Sequence, residues 1–352
     1  MTDLDDAGAL RAADPGGMLG AVVSLPSHCR EGYRLGLEAP DLPKADGVTG
    51  VAYCGMGGSA LGGDVLAALA APRLRMPVVV VRTSELPEWV GPHTLVVASS
   101  YSGSTGETLA LFEEAVERGS RLVVVTSGGQ LARRAEELEL GRVSVPGGSM
   151  PRAAFGYLAL GALGALEAMG VLPSLGADVD EAVRELDGVI GRAGPQVPTE
   201  ANPWKRFALT IGERVPVVWG AEGIAAVAAG RWRTQFNENA KTPAFAASLP
   251  ELDHNEVVGW SEGRGEGFAV VALRHEGEPA DVAARFGPSI EIARASGALT
   301  QEVWAHGRSP LARLLTLVQI GDLVATYSGL ARGVDPTPID AIVRLKRTLA
   351  EA

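Results

Sequence analysis

The sequence predicts an α/β protein of two subdomains, each a parallel sheet flanked by helices. Three observations predict it. Short apolar, β-branched runs alternate with amphipathic stretches at the spacing of βαβ units. Two of those runs end in turns rich in glycine or hydroxyl residues, Gly55–Asp64 and Ser99–Thr108. Beyond the proline-containing stretch Ala193–Pro203, the order strand, glycine turn, helix begins again. A boundary near 200 therefore divides the chain into subdomains 1–200 and 201–352.

Residues 18–37 read as an opening helix. Val51–Cys54 reads as a strand, followed by the glycine turn and a helix to about Leu69. Val78–Val81 and Leu95–Ala98 read as the next strands, and the hydroxyl turn leads into a helix to about Arg118. Leu122–Val125, a helix from Gln130, and Val143–Val145 complete the first set. Helices at 152–170 and 178–192 precede the proline stretch, which reads as a linker. The second set comprises strand Val215–Trp219, turn Gly220–Gly223 and helix Ile224–Asn239. Phe268–Leu273, a helix near Asp281–Phe286, and Ala298–Val303 follow. A final helix carries Ile339, Ile342, Val343 and Leu349 on one stripe. The two halves repeat in outline, but only the first has a hydroxyl turn.

Composition narrows the function classes. A chain of 352 residues with 46% apolar and 21% charged residues has ample core for two domains. Its net charge of -11 argues against broad nucleic-acid or anionic-membrane binding, while leaving room for a local anion pocket. The two cysteines, Cys29 and Cys54, form no disulfide framework or metal motif. The acidic start (Asp3, Asp5, Asp6) is unlike a signal peptide. No stretch reads as a clean bilayer span, and Ala153–Ala168 reads as a core helix. The expectation is a cytoplasmic protein.

A hydroxyl-rich turn between a strand and a helix suits a phosphate. Side-chain oxygens and backbone N–H groups converge there, and the helix dipole adds partial positive charge. Ser100, Ser102 and Thr105 are the candidate ligands. The competing explanation is a capping box between Ser104 and Glu107, which accounts for only those two residues. The glycine turn offers Gly57, Gly58 and Ser59. It also fits G-x-G-x-x-A, a weak dinucleotide signal. The strand at 78–81 ends in Arg82 rather than a carboxylate, which leaves open an NADP-linked oxidoreductase. A tight turn without any ligand is the plainer alternative.

With both turns in view, the chain resembles the sugar isomerase (SIS) fold. Four later segments sharpen the resemblance: Pro151–Ala154, Asn237–Lys241, Asp253–Glu256, and Asp335–Pro338 with Leu345-Lys346. Their order is similar to the bifunctional phosphoglucose/phosphomannose isomerase family, over about residues 18–350. The resemblance implies interconversion of glucose 6-phosphate, and mannose 6-phosphate, with fructose 6-phosphate through a cis-enediolate. It implies no metal and no nicotinamide cofactor, a small sugar-phosphate ligand, no nucleic-acid or membrane partner, and a homodimer.

It also assigns roles. Glu238 is the implied base; read without the family, an arbitrary glutamate there is a surface partner for Lys241 at i,i+3, although Gln235, Asn237 and Asn239 make the segment unusually polar for a packed helix. His254, in a polar loop after Pro250, is implied to open the sugar ring, reaching the site from a neighbouring subunit; by itself it reads as a solvated side chain. Lys346 falls on the apolar stripe of the last helix, where a lysine either snorkels outward or points into a site; the family places it beside His254 in ring opening. Arg152, at an expected helix start where a cation opposes the dipole, is implied to hold the enediolate charge. His28, His93, His275 and His306 show no metal spacing. A non-catalytic sugar-phosphate sensor that keeps the same cradle is the rival reading.

Overall fold

The structure, a computed structural model, describes residues 2–351. The chain begins with α1 (Ala7–Ala13), α2 (Met18–Val23) and α3 (Leu25–Leu37). It continues through β1 (Gly50–Cys54), α4 (Gly57–Ala70), β2 (Val78–Val81), β3 (Thr94–Ser99) and α5 (Gly106–Glu117). Next come β4 (Arg121–Thr126), α6 (Gly129–Glu137), β5 (Gly141–Ser144), α7 (Phe155–Ala168), α8 (Gly176–Ala193) and α9 (Pro203–Ile211). The second set is β6 (Val215–Ala221), α10 (Ile224–Glu238), β7 (Phe245–Leu249), a 3-10 turn at Glu251–His254, α11 (Glu256–Gly259), β8 (Phe268–Arg274), α12 (Ala280–Ala295) and β9 (Leu299–Trp304). α13 (Pro310–Ala331) and α14 (Asp340–Ala350) close the chain.

Both sheets are parallel, as expected from the βα alternation. The first has order β2-β1-β3-β4-β5 and the second β7-β6-β8-β9. β1 is buried along its whole length, which its unbroken apolar sequence anticipates. The first sheet's core joins Val96, Ala98 and Val124 to Phe112 of α5 and Leu131 of α6. α3 and α7 approach closely through glycines. A Cβ on Gly36 would lie 2.1 Å from the carbonyl of Gly161, and one on Gly164 would lie 2.4 Å from that of Tyr33. The second sheet's core gathers Trp219, Leu249, Leu252, Trp260 and Phe286.

The compact units are discontinuous. One comprises 24–187 with 306–315; the other comprises 1–23, 188–305 and 316–352. A single cut at 200 therefore does not describe them. Residues 1–23 join the second sheet's unit because polar groups tie them there. Lys205, fully buried, donates from Nζ to the carbonyl of Leu4 (2.7 Å), the carbonyl of Pro195 (2.9 Å) and the carboxylate of Asp5 (3.0 Å). The stretch read as a linker is likewise built in. Asn202 caps α9 by accepting from the N–H groups of Trp204 and Lys205, with Pro203 at the first helical position.

Three further elements differ from expectation. The opening helix is broken at Ser24, because Pro26 starts a new helix rather than continuing the old one. β7, a short edge strand of sequence FAASL, carried too little β-branched signal to read. α13 was not anticipated at all. It is long and apolar enough to cross a membrane by length and composition, but its apolar window is wholly buried, as in a core helix. A helix buried on every side shows no amphipathic period.

Candidate functional site

In the first sheet, the chain leaves β1 toward β2 and returns on the other side as β3, so the order reverses between β1 and β3. Ligands of open α/β sheets lie outside the strand carboxyl ends at such a point. Both turns singled out by sequence follow those two strands. They are also fastened together: the N–H of Tyr101 donates to Ser59 Oγ at 3.2 Å, and Gly55 packs so tightly that a Cβ would meet the Ser99 carbonyl at 2.9 Å.

Within the hydroxyl turn, Ser100 is buried. Its Oγ lies 2.9 Å from Thr105 Oγ1 and accepts the N–H of Gly103 at 3.1 Å. Gly103 is required: its φ is +62°, and a Cβ there would overlap the Gly128 carbonyl at 1.8 Å. Ser102 is exposed and accepts the N–H of Ser104 at 3.3 Å. The N-cap of α5 is Thr105, half-buried, and its side chain makes no capping bond. The Ser104–Glu107 capping box is therefore not formed. The hydroxyl pair turns inward, and the N–H groups of the first turn of α5 are left for an external acceptor.

Arg152 is buried close by, in the turn Pro151–Ala154 that precedes α7, not on the helix itself. A Cβ on Gly58 would stand 3.4 Å from its Cα, so the glycine turn and the arginine turn are in contact. His28 Nδ1 lies 3.2 Å from the Ala153 carbonyl, and its ring stacks on Tyr157 with centroids 4.3 Å apart. Burial lowers its pKa below the usual 6.5. His28 thus braces the Arg152 turn, a role that its spacing did not reveal. Gly57, Gly58, Ser59, Ser100, Thr105 and Arg152 are consequently gathered in one unit, with Ser102 on the rim. Arg82 pairs with Asp64 of α4.

The second unit holds the other candidates on three elements. Glu238 is the last residue of α10 and partly buried. Lys241, at φ +52°, donates to the main-chain carbonyls of Glu238 and, at 3.0 Å, Pro336, tying the Asp335–Pro338 segment to the end of this helix. Asn239, fully buried, donates to Thr326 Oγ1 at 3.2 Å. His254 ends the 3-10 turn after β7; its side chain is exposed and makes no hydrogen bond among the described residues. Lys346 is exposed on α14. The stripe it shares is exposed too (Ile342, Val343 and Leu349 among it), so Lys346 neither escapes from a core nor enters a pocket of this chain.

Glu238 and His254 do not meet within this unit. α10 starts beyond the carboxyl end of β6 and runs back to where parallel β7 begins, so Glu238 lies at the amino edge of the sheet. His254 follows the carboxyl end of β7. A five-residue strand separates the two edges by roughly 17 Å. Among the described residues no group of three or more His, Cys, Asp or Glu is placed to hold a metal ion.

The family model for the bacterial phospho-glucose isomerase C-terminal SIS domain matches residues 200–349. A bifunctional phosphoglucose/phosphomannose isomerase of Caldicellulosiruptor bescii is 33% identical over 95% of this chain and 99% of its own length. One of Aquifex aeolicus is 35% identical over 85% of this chain and 90% of its own. A hypothetical protein of Thermus thermophilus has a crystal structure that superposes with a TM-score of 0.72 at 20% identity, covering 97% of this chain and 92% of that one, a likeness of fold. With identity at this level along nearly its full length, the chain belongs to the bifunctional phosphoglucose/phosphomannose isomerase family.

Proposed function

We propose that this enzyme interconverts glucose 6-phosphate and mannose 6-phosphate with fructose 6-phosphate. The observation that carries the reading is the pair of fastened turns at the switch point. Ser100 with Thr105, the free first turn of α5, and buried Arg152 form a cradle for a phosphorylated polyol. The names of the relatives supply the substrate class.

In this reading, Ser100, Ser102 and Thr105 hold the phosphate, while Gly57, Gly58 and Ser59 line the sugar. His254 and Lys346 move the proton that opens the ring. The Glu238 carboxylate then takes the proton from C2 of the open aldose and returns it to C1, and a proton passes between O1 and O2. Arg152 stabilises the enediolate between the two transfers, a type of contact worth about 2.7–4 kcal/mol of barrier. Glucose and mannose phosphates differ at C2, so one base and one planar intermediate serve both once rotation about C2–C3 presents either face of C2 to Glu238.

The separation of Glu238 from His254 supports a homodimer in which each site takes His254 from the second copy. The exposed apolar side chain of Val258, four residues beyond it, supports a covered surface there. The test is incubation with fructose 6-phosphate, with glucose and mannose 6-phosphates quantified separately. Formation of both supports the proposal. Calorimetric binding of the hexose phosphate without turnover would make the chain a sensor.

A further inference from the structure

His254 is exposed, yet the loop that carries it is firmly held. Leu252, 1% exposed, is plugged into the second sheet's core. On one side of the histidine, Asp253 turns inward to α12. Its Oδ1 lies 2.7 Å from Ser289 Oγ, and its Oδ2 accepts from Arg285 Nη1 at 3.2 Å. Ser289 is itself buried, and its single hydroxyl proton is shared with the Arg285 carbonyl 2.9 Å away. On the other side, Glu256 Oε1 accepts from the indole N–H of Trp219 in β6 at 2.7 Å. Asn255 closes the loop locally by accepting the N–H of Glu256 and donating to Glu251.

Neighbours on both sides of the histidine thus commit their carboxylates to fixed scaffold groups, while the imidazole stays exposed. A surface loop needs no such double clamp to be soluble. A proton shuttle does, because a displacement of about 1 Å costs about a hundredfold in rate. We infer that Ser289, acting through Asp253, is a positioning residue that sets where the His254 imidazole meets the sugar ring. This rests on the ring-opening role proposed above for His254.

Ring opening can be read apart from isomerisation as the catalysed exchange between the α and β anomers of glucose 6-phosphate, followed by exchange NMR. Glu238→Gln removes the base for the C1–C2 transfer and isolates this step. In that background, Ser289→Ala is expected to slow anomer exchange at least tenfold. Ser289→Thr, which keeps the hydroxyl, is expected to restore it. Thermal midpoints are measured alongside, and Asp253→Asn gives a second route if Ser289→Ala does not fold. Undiminished exchange in folded Ser289→Ala, with exchange lost in His254→Ala, overturns the positioning role alone. Undiminished exchange in His254→Ala overturns the ring-opening reading itself.

Discussion

Arg231 and Asp322 form a buried two-pronged ion pair: Nε to Oδ1 at 2.9 Å and Nη2 to Oδ2 at 2.8 Å, with side chains 3% and 5% exposed. The pair locks α10 to α13, and Glu238 lies seven residues beyond Arg231 on the same helix. Removing one partner leaves a desolvated charge. Asp322→Ala is expected to cost about 3–5 kcal/mol in urea unfolding, whereas an apolar replacement of both residues costs much less. A midpoint that barely moves for the single variant would show the pair to be energetically idle.

Ser100 organises the turn proposed to hold the phosphate. Ser100→Ala removes the partner of Thr105 Oγ1 and the acceptor for the Gly103 N–H. Hydrogen bonds to charged groups contribute about 1.5–3 kcal/mol, so KM for fructose 6-phosphate is expected to rise roughly tenfold or more. Weakened binding of inorganic phosphate as a competitor is the matching observation. An unchanged KM would place the phosphate elsewhere.

His28 gives the fold a pH dependence of known sign. Its pKa is lowered, first by burial, while the Ala153 carbonyl partly opposes the shift. The unfolded chain therefore binds this proton more readily than the folded one. Stability from the neutral ring is fully present above the usual 6.5 and falls as the pH drops below it, levelling off under the folded pKa. Urea midpoints between pH 7.5 and 5 are expected to decline, with a shallower decline in His28→Gln. Identical slopes for the two proteins would remove His28 from the account.

Both thiols are buried and free. Burial pushes Cys54 up to about 12 and Cys29 higher still, so neither supplies thiolate at neutral pH. An aromatic disulfide reagent is expected to find no reactive thiol in the native protein and two after denaturation. Fast modification of the native chain would contradict the burial.

The first sheet was legible because its strands are unbroken apolar runs punctuated by Gly55–Gly58 and Ser99–Thr108. Those turns are also the proposed phosphate cradle, so fold and candidate site could be read from the same residues. α13 was illegible for the opposite reason: it is buried almost all round, so its apolar residues follow no one-sided period. The grouping of residues 1–23 with the second unit depends on Lys205 reaching back about two hundred positions, a contact that no local pattern encodes. Glu238, His254 and Lys346 were visible only through family resemblance. Spacing alone gave no hint that the first two sit at opposite edges of one sheet, since that follows from α10 running antiparallel to β7.

That opposition makes a quantitative test of the dimer. If each site joins Glu238 of one copy to His254 of the other, a Glu238→Gln chain and a His254→Ala chain are each inactive alone. A mixed dimer has one site lacking both groups and one site with both intact, because a two-fold interface exchanges the same residues in both directions. Equal amounts, unfolded together and refolded, put about half of the chains into mixed dimers, so about one quarter of wild-type activity is expected to return by two-fold statistics. If instead both residues served the site of their own copy, every site in every dimer would lack one group and the mixture would stay inactive. Activity that appears only after subunit exchange, and saturates near a quarter, therefore distinguishes a shared site from a private one without any knowledge of how the copies pack.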